Sequence, residues 1–92
     1  MIKYVIHAKK WVDKINGNTY HSVRILNTQN NAMIVAPFQY GSNDMFMQSA
    51  HEVMKEYNWV GDRLTPEDYL QIYIVIERNC KKSQVKEWGK AA

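Results

Sequence analysis

The sequence has little cysteine and no long hydrophobic run. One cysteine, Cys80, cannot form an internal disulfide, which excludes a disulfide-stabilised secreted scaffold and indicates a reducing compartment. No apolar run approaches the length of a bilayer span, and His7 and Lys9 interrupt the apolar start where a signal peptide would need continuity. We therefore expect a cytoplasmic protein that does not enter the membrane.

The residue patterns of most enzymes are also missing. The three histidines and Cys80 are scattered without zinc spacing, and neither a paired-carboxylate motif nor a nucleotide-binding fingerprint is present. The remaining candidate nucleophile is Cys80, beside Lys81 and Lys82, although a lone cysteine after a strand is more often an inert apolar residue. We predict no catalytic residue, metal or cofactor, and a protein that is not an enzyme.

What is present suits one small ordered domain. The 92 residues are 46% hydrophobic and 12% aromatic, which is enough for one packed core. Twelve Lys and Arg against nine Asp and Glu give a net charge of +3, a basic balance that permits nucleic-acid binding without requiring it. Because so small a domain buries little surface, a homodimer is a possible way to gain more burial.

Three strands are predicted in the first part of the chain. The segment 2–12 is dense in β-branched and aromatic residues with a two-residue period, and Asn16-Gly17 is typical of a tight hairpin turn. A second strand follows over 19–26, and a third over 32–38 after an Asn-rich turn. These strands form an antiparallel meander.

The rest of the chain predicts one main helix and a fourth strand. Apolar residues recur at helical spacing between Met45 and Tyr57, at Phe46, Ala50, Val53, Met54 and Tyr57. Thr65-Pro66 has helix-start chemistry, but 70–77 alternates at period two, so we predict at most one helical turn followed by a strand.

The predicted fold class is therefore α+β. We expect a single layer of three to four antiparallel strands with one helix packed on one face, in the order β-β-β-α-β, forming one domain over residues 1–80. Residues 81–92 are a polar, lysine-rich tail in which Val85 and Trp88 are the sizeable apolar residues. This tail is either a short docked helix or a loose end.

The sheet face away from the helix is the first candidate surface. Alternation along the strands assigns to this face Lys3, His7, Lys9, Trp11, Tyr20, Ser22, Arg24 and Tyr73. Cations mixed with aromatic rings are typical of surfaces that stack unpaired bases and neutralise phosphates. Ordinary cross-strand packing and lysine protection of an exposed sheet explain the same residues.

Two loops are further candidates. The hairpin segment 16–24, from Asn16 to Arg24, concentrates polar and aromatic groups where a rigid scaffold often carries recognition, although a hairpin turn needs the same residues. The segment 37–44, which contains Tyr40, leads into a helix N-terminus that can bind a phosphate or carboxylate, or is simply capped.

Two motifs carry a resemblance. The run NGNTYHSVRI, followed by APFQYGSND and a helix with Gln48, Ala50 and Met54, resembles a group of short uncharacterised bacteriophage and mobile-element proteins over about residues 8–59. The resemblance implies a ββ(β)αβ domain and no activity. Small phage proteins of this size often bind and disable a host macromolecule, for example as inhibitors of CRISPR systems. The basic balance argues against an acidic DNA mimic.

Together these features predict a phage-type accessory protein in the host cytoplasm that binds a host protein or ribonucleoprotein complex. The alternative is a single-stranded nucleic-acid-binding domain that uses the same face. A small enzyme acting through Cys80 is a distant third. The candidate binding residues are Lys9, Trp11, Asn16, Tyr20, Arg24, Tyr40 and Tyr73.

Overall fold

A computed structural model describes residues 1–90, and Ala91 and Ala92 of the predicted tail lie outside the described residues. The described chain contains one sheet and three helices. In chain order the elements are β1 (Tyr4–Asp13), β2 (Asn18–Asn27), β3 (Met33–Tyr40), α1 (Met45–Glu56), α2 (Pro66–Leu70), β4 (Ile72–Glu77) and α3 (Lys82–Trp88). The predicted α+β class and the single sheet layer are confirmed.

The four strands lie in the order β3-β2-β1-β4. β1, β2 and β3 pair antiparallel, as the predicted meander requires. The β2–β3 register shifts between His21 and Val23, where Ser22 lies opposite both Pro37 and Phe38. This bulge accommodates Pro37 in an edge strand, because a bulged position does not need the missing N–H.

The fourth strand corrects one detail of the prediction. β4 pairs with β1 in parallel, with Tyr4 opposite Ile72 and Lys9 opposite Glu77, whereas an antiparallel strand was expected. Helix α1 returns the chain to the end of the sheet where β3 began, so the next strand runs in the same direction as β3 and β1. A β-α-β connection joins parallel strands for this reason. The brief helix before β4 is confirmed as α2, which Thr65 caps by accepting from the Asp68 N–H at 3.1 Å.

The main core lies between the sheet and α1. Its buried residues are Tyr4, Ile6, Ala8, Val23, Ile25, Ile34, Ala36, Phe46, Ala50 and Met54. The strand residues alternate, and the helix residues recur at three and four positions, so both periodicities meet at one layer. Tyr57, which was predicted on this apolar face, is 58% exposed because α1 ends at Glu56 and the chain turns away at Asn58 with φ of 61°.

The opposite face of the sheet is not uncovered, which is the main correction to the predicted architecture. Of the two alternatives predicted for the tail, the structure shows the short docked helix: α3 packs across β1, β2 and β3. Val85 is fully buried there, and the hydroxyl of Ser22 donates to its carbonyl at 2.6 Å. Val85 and Trp88 lie three residues apart and therefore share one helix face, which lets a short, mostly polar helix dock.

Within residues 1–90, none of the helices is both long enough and apolar enough to cross a bilayer.

Candidate functional site

Four aromatic side chains form a row on the α3 side of the sheet, at the end nearest the β1–β2 hairpin. We call this row the aromatic cluster; it consists of Trp11, Tyr20, Phe38 and Tyr40. Trp11 and Tyr20 are cross-strand partners, and Tyr20 pairs with Tyr40 on β3. Alternation along three adjacent strands therefore brings the rings together.

The rings of the aromatic cluster stack on one another. Tyr20 stacks with Trp11 at a centroid distance of 5.4 Å and with Phe38 at 5.2 Å, with an interplanar angle of only 5° in the second pair. Tyr40 meets Tyr20 edge-on at 5.8 Å and is 58% exposed. The cluster is therefore a rigid apolar surface whose most accessible ring is Tyr40.

Two lysines of α3 lie beside this row. The Lys82 ammonium lies 5.2 Å from the Trp11 ring centroid, and the Lys86 ammonium lies 5.7 Å from the Phe38 ring centroid. We call this pair the lysine rim. The two residues are four positions apart on one helix and both are exposed, so their positive charges border the rings along one side.

Two predicted site cations serve the docking of α3 instead. The guanidinium carbon of Arg24 lies 4.2 Å from the Trp88 ring centroid, and the Arg24 Nε–H donates to the Trp88 carbonyl at 3.0 Å. The Lys9 ammonium lies 4.4 Å from the same ring. The Trp88 indole N–H donates to the carbonyl of His7 at 2.8 Å. Arg24 and Lys9 are therefore largely occupied by Trp88.

Glu77 of β4 contacts two residues of β1, Lys9 and His7, that also contact Trp88. Its carboxylate lies 3.4 Å from the Lys9 ammonium and 3.1 Å from His7 Nε2, although the His7 contact lacks hydrogen-bond geometry. Desolvation acts to raise the pKa of Glu77, but the positive charge of Lys9, helped by His7, outweighs it and the pKa is lowered. This pairing further reduces the charge that Lys9 offers to a ligand.

Asn16 has a local role in the hairpin. Its side-chain amide donates to the Asp13 carboxylate at 2.8 Å, and the Ile15 N–H donates to the same carboxylate at 3.0 Å. These hydrogen bonds, with that of Asn16 largest, lower the pKa of Asp13 against a smaller effect of desolvation. Gly17 closes the loop with φ of 70°, a conformation that glycine adopts without strain.

Tyr73 lies away from the other predicted site residues. It is on β4 opposite Val5, near the end of the sheet where β1 begins, and it is 58% exposed. The structure therefore brings together Trp11, Tyr20 and Tyr40, with Asn16 in the adjacent turn. It separates them from Tyr73.

A buried imidazole and hydroxyl pair joins β2 to α1. His21 Nε2 lies 2.8 Å from Ser49 Oγ, and His21 Nδ1 donates to the Gly41 carbonyl at 3.1 Å. This pair superficially resembles a hydrolase dyad, but His21 is 1% exposed and Ser49 is 6% exposed. A substrate cannot reach the hydroxyl, so the pair acts as a structural bridge.

Cys80 lies in a groove of about 480 Å³ beside the hairpin, which Trp11, Lys14 and Ile15 also line. Its thiol donates to the Glu77 carbonyl at 3.5 Å. In the part of the chain that the structure describes, no three His, Cys, Asp or Glu side chains gather as metal ligands do.

Sequence reasoning missed Phe38, Trp88 and the lysine rim. The alternation of Phe38 with Tyr40 on one strand was a signal for the first, and the spacing of Val85 and Trp88 was a signal for the second. The positions of Lys82 and Lys86 over the rings follow only from the docking of α3 onto the sheet, which local sequence does not specify.

Comparisons with protein-family models, curated proteins and solved structures find no match to this chain. The resemblance to bacteriophage proteins therefore stays a prediction. Residues 1–90 form a small α+β fold that carries a surface of aromatic rings bordered by lysines.

Proposed function

We propose that this protein is a non-catalytic binding module that engages a protein surface, either of a single protein or of a ribonucleoprotein complex, through the aromatic cluster and the lysine rim. The observation that carries the proposal is the stacked row of rings ending in the exposed Tyr40 and bordered by exposed lysines. Aromatic residues in a partly desolvated interface core, with charged residues at the rim, are characteristic of energetic hot spots in protein interfaces.

Rigidity supports this role. Tyr20 is held between Trp11 and Phe38, so little side-chain entropy is lost when a partner covers the row. The lysine rim favours an acidic partner surface, because Lys82 and Lys86 add positive potential that steers association. The resemblance to phage proteins extends the proposal to a phage-type accessory protein that acts in a bacterial cytoplasm on a defence complex such as a CRISPR system.

Affinity capture with matched variants tests this function. Tyr40→Ala removes the most accessible ring of the cluster, whereas Tyr57→Ala removes an equally exposed tyrosine, also 58% exposed, at the end of α1. We expect the wild type and Tyr57→Ala to capture the same bacterial protein. Tyr40→Ala should capture at least about tenfold less of it, as truncation of a hot-spot residue predicts. Equal capture by all three proteins would argue against the proposed surface.

A second candidate is single-stranded nucleic-acid binding on the same surface. The exposed ring of Tyr40 beside Lys86 offers one stacking position and phosphate-neutralising charge. The stacked faces of Tyr20 count against it, because a base needs a free ring face. Fluorescence anisotropy with labelled single-stranded DNA and RNA decides: micromolar binding that weakens linearly with salt in log–log form favours this candidate, and flat titrations exclude it.

A further inference from the structure

The two edges of the sheet differ in how they are protected. The β3 edge contains the exposed Pro37 and a bulge opposite Ser22, two features that discourage pairing with another strand. The β4 edge is apolar throughout 72–76 and has neither proline nor bulge. β4 is therefore an unprotected edge of the kind that natural sheets usually cover.

The backbone groups that β4 presents outward can be assigned. The carbonyl of Gln71 accepts from the N–H of Tyr4 at 3.1 Å, so the backbone carbonyl of Gln71 points toward β1. Backbone N–H and C=O groups point to alternate sides along a strand, so those of every second residue after Gln71 also point toward β1. The residues between them, Ile72, Ile74 and Ile76, present their N–H and C=O groups outward, and no strand among residues 1–90 pairs with them.

Exposed apolar side chains lie on and just before β4, on both faces of the sheet. Ile74 is 41% exposed and Tyr73 58%, and in α2 just before the strand Tyr69 is 52% exposed and Leu70 79%. A partner strand that paired with β4 would cover the outward backbone groups and part of the exposed Tyr73 and Ile74 side chains.

We propose that the occupant of this edge is β4 of a second copy of the chain, paired antiparallel about a two-fold axis at Ile74. In this register Ile74 faces Ile74 of the second copy, Ile72 faces Ile76, and Tyr73 faces Val75. Every outward N–H and C=O of the strand finds a partner, and β-branched side chains meet across the interface.

Charge complementarity supports the second copy. In the same register Glu77 faces the neutral Gln71, and Arg78 faces Leu70, the last residue of α2 in the second copy, with Glu67 three residues earlier in that helix. Arg78 and Glu67 are both exposed and form no ion pair within residues 1–90. The pairing therefore opposes no like charges and brings an unpaired cation toward an unpaired carboxylate.

The dimer would join the two sheets into one continuous sheet with the two-fold axis perpendicular to it. Both aromatic clusters would then lie on the same side, at opposite ends. If the proposed function holds, this arrangement gives two-site binding and avidity for a repetitive or dimeric partner. The dimer itself does not depend on that function.

Sedimentation velocity of the full chain, from micromolar to near-millimolar concentration, tests the pairing. We expect a reversible monomer–dimer equilibrium that Ile74→Lys weakens at least about tenfold, because it places two ammonium groups across the two-fold axis. The matched control is Met33→Lys, which introduces the same charge on the other edge strand at a residue 44% exposed, and it should leave the equilibrium unchanged.

A charge reversal keeps the test decisive if Ile74→Lys fails to fold. Arg78→Glu should weaken the dimer and Arg78→Glu with Glu67→Arg should restore it, and both positions are exposed, so folding is preserved. A wild type that stays monomeric throughout overturns the proposal. So does a dimer insensitive to both Ile74→Lys and Arg78→Glu, or one that Met33→Lys weakens equally. Neither result bears on the affinity capture with Tyr40→Ala, so failure of the dimer and failure of the proposed function can be told apart.

Discussion

At the scale of the residue, His21 is a buried titratable group with a polar partner at each ring nitrogen. Desolvation lowers its pKa, and the nearby Lys10 charge lowers it further, while the hydrogen bond to the Gly41 carbonyl raises it but does not compensate. With the proton on Nδ1, the neutral ring donates to Gly41 and accepts from Ser49, so both ring nitrogens are satisfied. The folded protein therefore favours the uncharged imidazole.

This depressed pKa predicts how stability depends on pH. Below the ordinary value of 6.5 the unfolded chain binds a proton that the folded protein resists, so the free energy of unfolding falls as pH drops from about 7 toward 5. Urea unfolding at these pH values measures the effect. His21→Gln should flatten the dependence, whereas His51→Gln, which alters a histidine bonded to the Gly61 carbonyl, should retain it. A stability that rises as pH falls would contradict this account.

At the scale of the element, the docking of α3 depends on close approach at its C-terminus. A Cβ added at Gly89 would lie 2.6 Å from the backbone nitrogen of Phe38 and 3.0 Å from the Cβ of Ser22, both of which belong to the sheet. Gly89 is therefore the position where α3 and the sheet have no room for a side chain.

Gly89→Ala is accordingly expected to destabilise the protein by about 1–3 kcal/mol, through overpacking against backbone. The matched control is Gly61→Ala, because a Cβ there meets nothing within 4 Å, and its effect should stay within about 0.5 kcal/mol. Denaturant unfolding of both variants measures the difference. Equal effects would show that the close approach at Gly89 does not limit docking.

The same elements show how far sequence reasoning reaches. The meander and α1 were predictable because period-two and period-3.6 patterns are strong between residues 2 and 57. The direction of β4 was in principle readable from its β-α-β connection. The docking of α3 stayed one of two alternatives, a short docked helix or a loose end, because only Val85 and Trp88 distinguish its apolar side. Since that docking occupies Lys9 and Arg24, the predicted site kept Trp11, Tyr20 and Tyr40 together but lost these two cations, and Tyr73 lies apart on β4.

At the scale of the whole molecule, the lysine rim should affect association more than dissociation. Lys82 and Lys86 are exposed at the border of the aromatic cluster, where charges act mainly by steering a partner before contact. Lys82→Ala with Lys86→Ala is expected to slow binding to the captured partner several-fold and to weaken its salt dependence. Surface plasmon resonance at two salt concentrations measures both rates. A change confined to dissociation would place the lysines inside the interface instead.

We propose that the aromatic cluster contacts a protein. The most direct test of this proposal replaces Tyr40 with the photocrosslinker benzoylphenylalanine, with the equally exposed Tyr57 replaced in parallel as the control. After irradiation in bacterial lysate, we predict a discrete adduct at position 40 that nuclease leaves intact and protease removes, and no such adduct at position 57. An adduct that nuclease removes, or equal labelling at both positions, would contradict the claim.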